Sequence, residues 1–410
     1  MFPTVSHSVS HSVTHDHDHD AVIAELGSEV FASLRRADQR RTAKEYLRGM
    51  LSVSGRKNAR NLATSVGNRA AEQRFHHFIA DSCWDWRPVR EALTGFLERI
   101  APPRAWVVRP LVLTKTGDCS VGVERRYVPE AGQTLNAQFG WGLWQVADGF
   151  EVPVNWYLDL PDGWLSDPVR RERSRIPDGY VPPASAEGGA VSLVSQTVGR
   201  LPSRLRPVLS DARHAALPAL VRGFRAARVP VLLRIGPSVP VLLADRALRG
   251  FSHRPVPAGK LLSTAGCRVR TVLRPGGRGS VAALRVRLPG LVDPTAAAGS
   301  ACGPQAGRGG LTLVGVWSGT GPSPEHLWLT DTVVPAHALL EASELPEPHA
   351  AAMARAAEAG LRDYGGRSFQ GWHRHMTMVS VALAARAVAA GPADRAAPAP
   401  ACGGDRLMAA

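Results

Sequence analysis

Residues 105–113 have the sequence AWVVRPLVL, an apolar run interrupted by one arginine and one proline. Such a run is typical of a strand buried within a sheet, although Pro110 would delete a hydrogen bond of the ladder. Three more strand-like segments follow: SVGVERRYV at 120–128, NAQFGWGLWQV at 136–146 and VPVNWYLDL at 152–160. Consecutive strands followed by alternating helices and strands predict an α+β fold with a mixed sheet.

Composition and apolar periodicity divide the 410 residues into regions of different character. Apolar residues at near-helical spacing predict a small helical N-terminal domain, which ends at Pro102-Pro103. The predicted regions are a disordered His-rich tail (1–20), the helical domain (21–101), the α+β core (102–390) with a loop-rich insertion at about 240–310, and a disordered tail (391–410).

The charge of the chain is strongly positive, at +14 for neutral pH. Of its 49 basic residues only four are lysines, a bias that a GC-rich genome would produce by itself. The segment from Arg200 to Arg287 nevertheless holds 18 basic residues against two acidic ones, as expected of a face that follows phosphates. Two interpretations therefore stay open, a nucleic-acid-binding protein and a protein that is basic only through coding bias.

Other features of the sequence restrict the compartment and the chemistry. The five cysteines are scattered singly, which favours reduced thiols in a cytoplasm. No apolar run is long enough to span a bilayer, so no membrane association is expected. Phosphate-binding loops and the HExxH and GxSxG motifs are missing, which argues against a nucleotide-hydrolysing motor. His373 and His375 stand two residues apart and would bind a metal poorly from one helix.

Four segments together resemble insertion-sequence transposases of the DDE endonuclease class. The resemblance runs from about Tyr46 to Ala389, and its most specific parts are the VPVNW and GWHRH segments. It implies a ribonuclease-H-like core, in which three antiparallel strands lead a mixed sheet with helices on both faces. The segments are FHHFIADSCWDWRPVREAL (75–93), SVGVERRYVP (120–129), VPVNWYLDLPDGW (152–164) and GRSFQGWHRHMTMVS (366–380).

The resemblance also implies a chemistry, metal-assisted cleavage of DNA and strand transfer. Three carboxylates would hold two Mg²⁺ or Mn²⁺ ions, one from the first strand, one from the end of a later strand and one from a C-terminal helix. Asp211 matches the second position and is the predicted metal ligand. The third should lie about three turns before Gly360, where Glu347 is the candidate and Glu358 is too close to the helix end.

Arg109 stands where the resemblance requires the first aspartate. At roughly 4 kcal/mol per charge pair at 4 Å, the exchange disfavours metal binding by about 10 kcal/mol. The sequence therefore predicts a DNA-binding pseudoenzyme, either a domesticated regulator or a decaying copy. The alternative is an active transposase in which Asp118 or Glu124 substitutes. An ion pair between Arg109 and Asp211 is a further hypothesis for the altered site.

Double-stranded DNA is the expected partner, and a homodimer is among the expected assemblies. Basic side chains and the GWHRH segment supply the predicted contacts, since phosphates attract guanidinium, ammonium and imidazole groups. The predicted DNA-binding residues are Arg56, Lys57, Arg60, Lys115, Arg222, Arg225, Arg367, His373, Arg374 and His375.

Overall fold

A computed structural model defines a mixed α and β protein in which helices precede a large sheet. The predicted tails, 1–20 and 391–410, and Glu347 lie outside the residues that it describes. The described residues are 21–199, 201, 203, 206–244, 254–265, 271–272, 280–291, 310–317, 321–332, 341, 344 and 348–390.

The N-terminal region is helical, as the spacing of its apolar residues predicts. Two of its helices begin at side chains that accept a backbone hydrogen bond, Asn58 from Asn61 and Asp85 from Arg87. Such caps satisfy N–H groups that a helix leaves without partners. The helices span 21–30 (α1), Ala37–Ser52 (α2), Ala59–Ser65 (α3), Ala71–Ala80 (α4) and Trp86–Ile100 (α5).

The first half of the sheet has the ribonuclease-H-like arrangement that the sequence predicts. The third strand pairs antiparallel with the first on one edge and with the second and fourth on its other edge. The fifth strand is parallel to the first, and the sixth is parallel to the fifth. These strands are Ala105–Thr114 (β1), Val123–Val128 (β2), Gln133–Ala147 (β3), Phe150–Leu158 (β4), Val208–Asp211 (β5) and Val231–Ile235 (β6).

Helices cover this sheet between its strands and after them. The helix Ala186–Val198 connects β4 to β5, and the helix Leu217–Ala226 connects β5 to β6. The parallel strands therefore have the helical crossovers they require. The helices are Asp162–Leu165 (α6), Pro168–Arg173 (α7), Ala186–Val198 (α8), Leu217–Ala226 (α9), Ala258–Ala265 (α10), His349–Glu358 (α11) and Phe369–Ala389 (α12).

The described residues of the segment predicted as a loop-rich insertion include strands of the same sheet. Beyond β6 the order is β12-β11-β10-β7-β8, with β9 paired to β10. The alternating sequence SVAALRVR forms β10 because its valine and leucine side chains are buried, although glycine and proline flank it. These strands are Pro240–Leu243 (β7), Val256–Pro257 (β8), Thr271–Val272 (β9), Ser280–Arg287 (β10), Leu311–Trp317 (β11) and His326–Thr330 (β12).

Helix α12 lies in the middle of the core, since it is buried from Phe369 to Ala385 apart from Gln370. It packs against β4 on one side and against α2, α4 and α5 on others. The N-terminal helices and the sheet therefore share one continuous hydrophobic core. No helix among the described residues combines the length and the apolar character that crossing a membrane requires.

Candidate active site and nucleic-acid interface

The register of the parallel strands brings Arg109 and Asp211 to neighbouring positions. Val107 of β1 pairs with Leu209 of β5, and Val108 pairs with Ser210. The next residue along each strand is Arg109 and Asp211, respectively. Residues paired across neighbouring strands face the same side of a sheet. The two positions are thus those where adjacent strands would place two metal-binding carboxylates.

Arg109 is buried and forms an ion pair with Glu151 of β4. Its Nε donates to Glu151 Oε1 at 3.0 Å, and its Nη2 donates to the same oxygen. Both residues are less than a tenth exposed, with 5% for Arg109 and 7% for Glu151. The guanidinium also lies over the ring of Trp144, with Cζ 5.6 Å from the ring centroid. The cation therefore has a fixed place inside the protein, bonded to β4, while the backbone position of Arg109 on β1 adjoins that of Asp211 on β5.

Asp211 binds Arg213, its neighbour two residues along the chain. Arg213 donates from Nε to Oδ1 at 2.9 Å and from Nη2 to Oδ2 at 2.6 Å. Burial alone would raise the pKa of Asp211, but the hydrogen bonds and charge of Arg213, with the charge of Arg234, lower it. The hypothesis that Arg109 pairs with Asp211 is wrong, because each has a different partner closer to its own side chain.

A histidine lies near the third expected position, whose predicted residue, Glu347, is outside the described part of the chain. His349 begins α11 and stands 11 residues before Gly360, which corresponds to three helical turns. Desolvation and the charge of Arg109 lower the pKa of His349, while Asp211 and Glu130 oppose that shift. The imidazole thus lies within electrostatic range of both other positions. Glu358 lies at the far end of the same helix, roughly 13 Å along its axis.

The proposed substitute carboxylates lie away from this site. Glu124 belongs to β2 and pairs with Arg126 at 2.7 Å. Two strands, β3 and β1, separate β2 from β5, so the backbone of β2 lies about 14 Å from the backbone of β5. Asp118 follows the end of β1 at Thr114, about 16 Å along the strand from Arg109. Neither carboxylate can join Asp211 in binding one metal ion.

The described residues at this position do not fit a pair of divalent metal ions. Magnesium and manganese need several oxygen ligands of negative charge. The described residues here are a guanidinium, an imidazole, one carboxylate already bound to arginine, and Glu130, whose charge acts on His349 and Arg213. Within the described part of the chain, no three His, Cys, Asp or Glu side chains are grouped to hold a metal.

The predicted DNA-binding residues divide into three groups by burial. Lys115 is half-buried and donates from Nζ to the carbonyl of Tyr364 at 2.9 Å. Arg225 is also half-buried and donates to the carbonyl of Gly310 at 3.4 Å. The remaining residues belong either to the surface or to the core, and the surface residues are Arg56, Arg60, Arg222 and Arg367.

The other four predicted residues, Lys57, His373, Arg374 and His375, are buried, and a phosphate contact by them stays a prediction. Arg374 donates from Nε to the carbonyl of Trp84 at 3.0 Å, and His375 Nε2 lies 2.8 Å from the carbonyl oxygen of Gly360. These contacts join α12 to the N-terminal helices and to the turn after α11. The GWHRH segment thus serves the core because its polar atoms have backbone partners there.

Sequence reasoning missed Glu151, the partner of Arg109. Its signal was present, since Glu151 is the only acidic residue in the strand FEVPVNWYL. An acidic residue in a buried strand requires a cation or a metal as its partner. Finding that partner requires the registers of β1 with β3 and of β3 with β4, which spacing in the sequence does not supply.

The fold defines the class of protein. The strand order β4-β3-β1-β5-β6 and the crossover helices are those of a ribonuclease-H-like fold. Residues 29–260 match the family described as DDE superfamily endonuclease, and the chain belongs to this family. A search of curated protein sequences returned no match.

Proposed function

We propose that this member of the DDE endonuclease family binds duplex DNA and does not cleave it. The observation that carries the proposal is that Arg109, in a buried ion pair with Glu151, occupies the strand position next to Asp211. A guanidinium at that position repels the dications on which the reaction depends. Membership of the family and the exposed arginines of the chain support DNA as the partner. The scattered cysteines of the chain fit a cytoplasmic protein that is never oxidised to disulfides.

The proposal predicts binding without strand cleavage. Incubation with supercoiled plasmid and Mg²⁺ or Mn²⁺ should retard the plasmid on a gel and leave it unnicked, with Asp211→Ala behaving identically. In duplex binding, exchange of the four exposed predicted arginines for glutamine should reduce the slope of log K against log salt by up to about 3.6, or 0.9 per lost phosphate contact.

A matched control uses four exposed arginines outside the predicted set and outside the basic segment 200–287, namely Arg35, Arg41, Arg125 and Arg173. Their exchange for glutamine removes the same charge and should change the slope less. Nicking that disappears in Asp211→Ala would overturn the cleavage deficiency. No binding of any duplex at low salt would instead favour the interpretation that coding bias alone makes the chain basic.

Metal binding gives a second prediction for the altered site. Manganese should leave the unfolding temperature of the wild-type protein unchanged, since the site lacks a carboxylate cluster. The triple variant Arg109→Asp, Glu151→Gln, His349→Glu places carboxylates at positions 109 and 349. It also removes the carboxylate of Glu151, which would otherwise lose its ion pair with Arg109. Manganese at a hundred times its Kd should stabilise this variant by about 2.7 kcal/mol, measured by calorimetry.

The same triple variant carrying Asp211→Ala is the control and should lose the stabilisation. The assignment of the three positions would be contradicted if manganese stabilised the wild-type protein and Asp211→Ala abolished that effect. It would also be contradicted if the triple variant folded and remained indifferent to manganese.

A further inference from the structure

A cavity of about 580 Å³ lies between α5, β4, α8 and the start of α12. None of its lining residues belongs to the group around Asp211, so the cavity is separate from the candidate active site. Its apolar wall includes Trp86, Leu193 and Phe369. Cavities that bind small molecules typically have volumes of roughly 300–1,000 Å³ and apolar walls with a few polar groups. The size and lining are therefore those of a small-molecule site.

Arg90, in the wall of this cavity, is a buried cation bonded only to uncharged acceptors. Its Nε donates to Thr377 Oγ1 and its Nη1 to Asn155 Oδ1, both at 2.7 Å. Further bonds reach the carbonyls of Trp156 and His373. Only 4% of Arg90 is exposed, yet among the described residues it has no carboxylate partner.

The second buried arginine of the sheet region provides the contrast. Arg109 is about equally buried and has the carboxylate of Glu151 as its counter-ion. Buried charges are normally paired because removing an ion from water costs several kcal/mol. Of the three buried arginines among the described residues, Arg109 has a carboxylate counter-ion, Arg374 bonds to backbone carbonyls and to Gln370, and Arg90 lines a cavity.

The buried charge at the cavity wall is positive at neutral pH. Burial lowers the pKa of Arg90 to about 9, with a contribution from the charge of Arg87, so the guanidinium remains charged. His373 in the same wall stays neutral, because burial and the charge of Arg90 hold its pKa well below the ordinary value. At the rim, Arg87 is an exposed second cation, and Glu91 is exposed to solvent.

We propose that this cavity binds a small organic anion, a carboxylate or phosphate monoester carried on a flat apolar body. The N–H groups of Arg90 hold the wall together, so Arg90 contributes a charge of fixed position. Hydrogen-bond donors for the anion come from Arg87 and from the Ser192 and Gln196 side chains, which lie 2.9 Å apart at Oγ and Nε2. The apolar body would lie against Leu193 and the aromatic wall.

Calorimetric titration of the full chain tests the proposal with phenyl phosphate, benzoate and neutral benzyl alcohol. We expect saturable binding of at least one anion and an affinity for benzyl alcohol at least about tenfold weaker. Arg90→Met should weaken anion binding by about tenfold or more and leave benzyl alcohol unaffected. Preference for phenyl phosphate would indicate phosphate monoesters as the natural class, and preference for benzoate would indicate carboxylates.

A second variant, Gln196→Trp, tests the proposal independently if Arg90→Met does not fold. Gln196 is exposed on α8, so Gln196→Trp should fold normally, block the cavity and abolish binding of all three probes. Arg173→Gln, an exposed arginine outside the cavity, should bind as the wild type does. The proposal is overturned if neither anion binds the wild-type protein saturably, or if Gln196→Trp binds them with unchanged affinity.

Discussion

Arg109→Ala should lower the free energy of unfolding by about 3–5 kcal/mol, a loss that a urea titration measures as a reduced midpoint. The variant removes the guanidinium to which the buried Glu151 carboxylate is bonded. The Glu151 side chain is 3% exposed, so bulk water solvates it far less than it would a surface carboxylate. The packing of the guanidinium on Trp144 is lost as well. The effect is a large part of the total stability of a domain, typically 5–15 kcal/mol.

The double variant Arg109→Met, Glu151→Leu is the control for this interpretation. It removes both charges and keeps apolar volume, so its stability should lie within about 1.5 kcal/mol of the wild type, or above it. Lysine at position 109 should give an intermediate loss of stability. A single ammonium nitrogen cannot reproduce the two nitrogens of the planar guanidinium that donate to Glu151. A loss below about 1 kcal/mol in Arg109→Ala would show that Glu151 finds another partner or takes up a proton.

Acidification from pH 7 to pH 5 should reduce the free energy of unfolding by about 4 kcal/mol through two histidines of α12. Burial lowers the pKa of His375 to about 4, despite the Gly360 carbonyl and Asp363, and Lys115 adds to the shift. Burial and the charges of Arg90 and Arg87 also lower the pKa of His373, to well below its ordinary value.

The unfolded chain takes up protons at both histidines near pH 6.5, whereas the folded protein does not, so stability falls with pH. Stability is retained above the unfolded pKa and is lost progressively below it, down to about pH 4 for His375.

Urea titrations at intervals of half a pH unit between 7 and 5 measure this slope, above the range in which carboxylates titrate. His375→Gln retains a donor for the Gly360 carbonyl and removes the titrating ring, so about half of the pH dependence should disappear. Combination with His373→Gln should remove most of the pH dependence and leave the contribution of His349, whose pKa is also lowered. A wild-type profile that is already flat would mean that these rings become protonated inside the folded protein.

The first strands of the fold were predictable because their apolar runs are long. The segments 105–113 and 152–160 correspond closely to β1, Ala105–Thr114, and β4, Phe150–Leu158. The strand β10 was not predicted, because its eight residues carry two arginines and lie in a region dominated by glycine and proline. Its side chains are buried only because β11 and β7 flank it, and such pairing over distance is not visible in local composition.

The site was predictable in part for the same physical reason. Asp211 and the exchange at Arg109 follow from position along two strands, which the sequence records. The counter-ion Glu151 follows from pairing between strands, and the burial of His373 and Arg374 follows from the packing of α12 among three N-terminal helices. A segment with two histidines and an arginine has the composition of a surface, and only tertiary contacts place it in the core.

The central position of α12 also determines the order in which the chain can fold. Arg90 bonds to Thr377 across 287 residues of sequence, and Arg374 bonds to the carbonyl of Ile79 across 295. During synthesis the apolar faces of the N-terminal helices that pack against α12 therefore stay exposed until nearly the whole sheet has been made. Contacts of such high sequence separation fold slowly and leave an aggregation-prone intermediate. The contacts that α2, α4 and α5 make with α12 thus form only after the C-terminal part of the chain has been made.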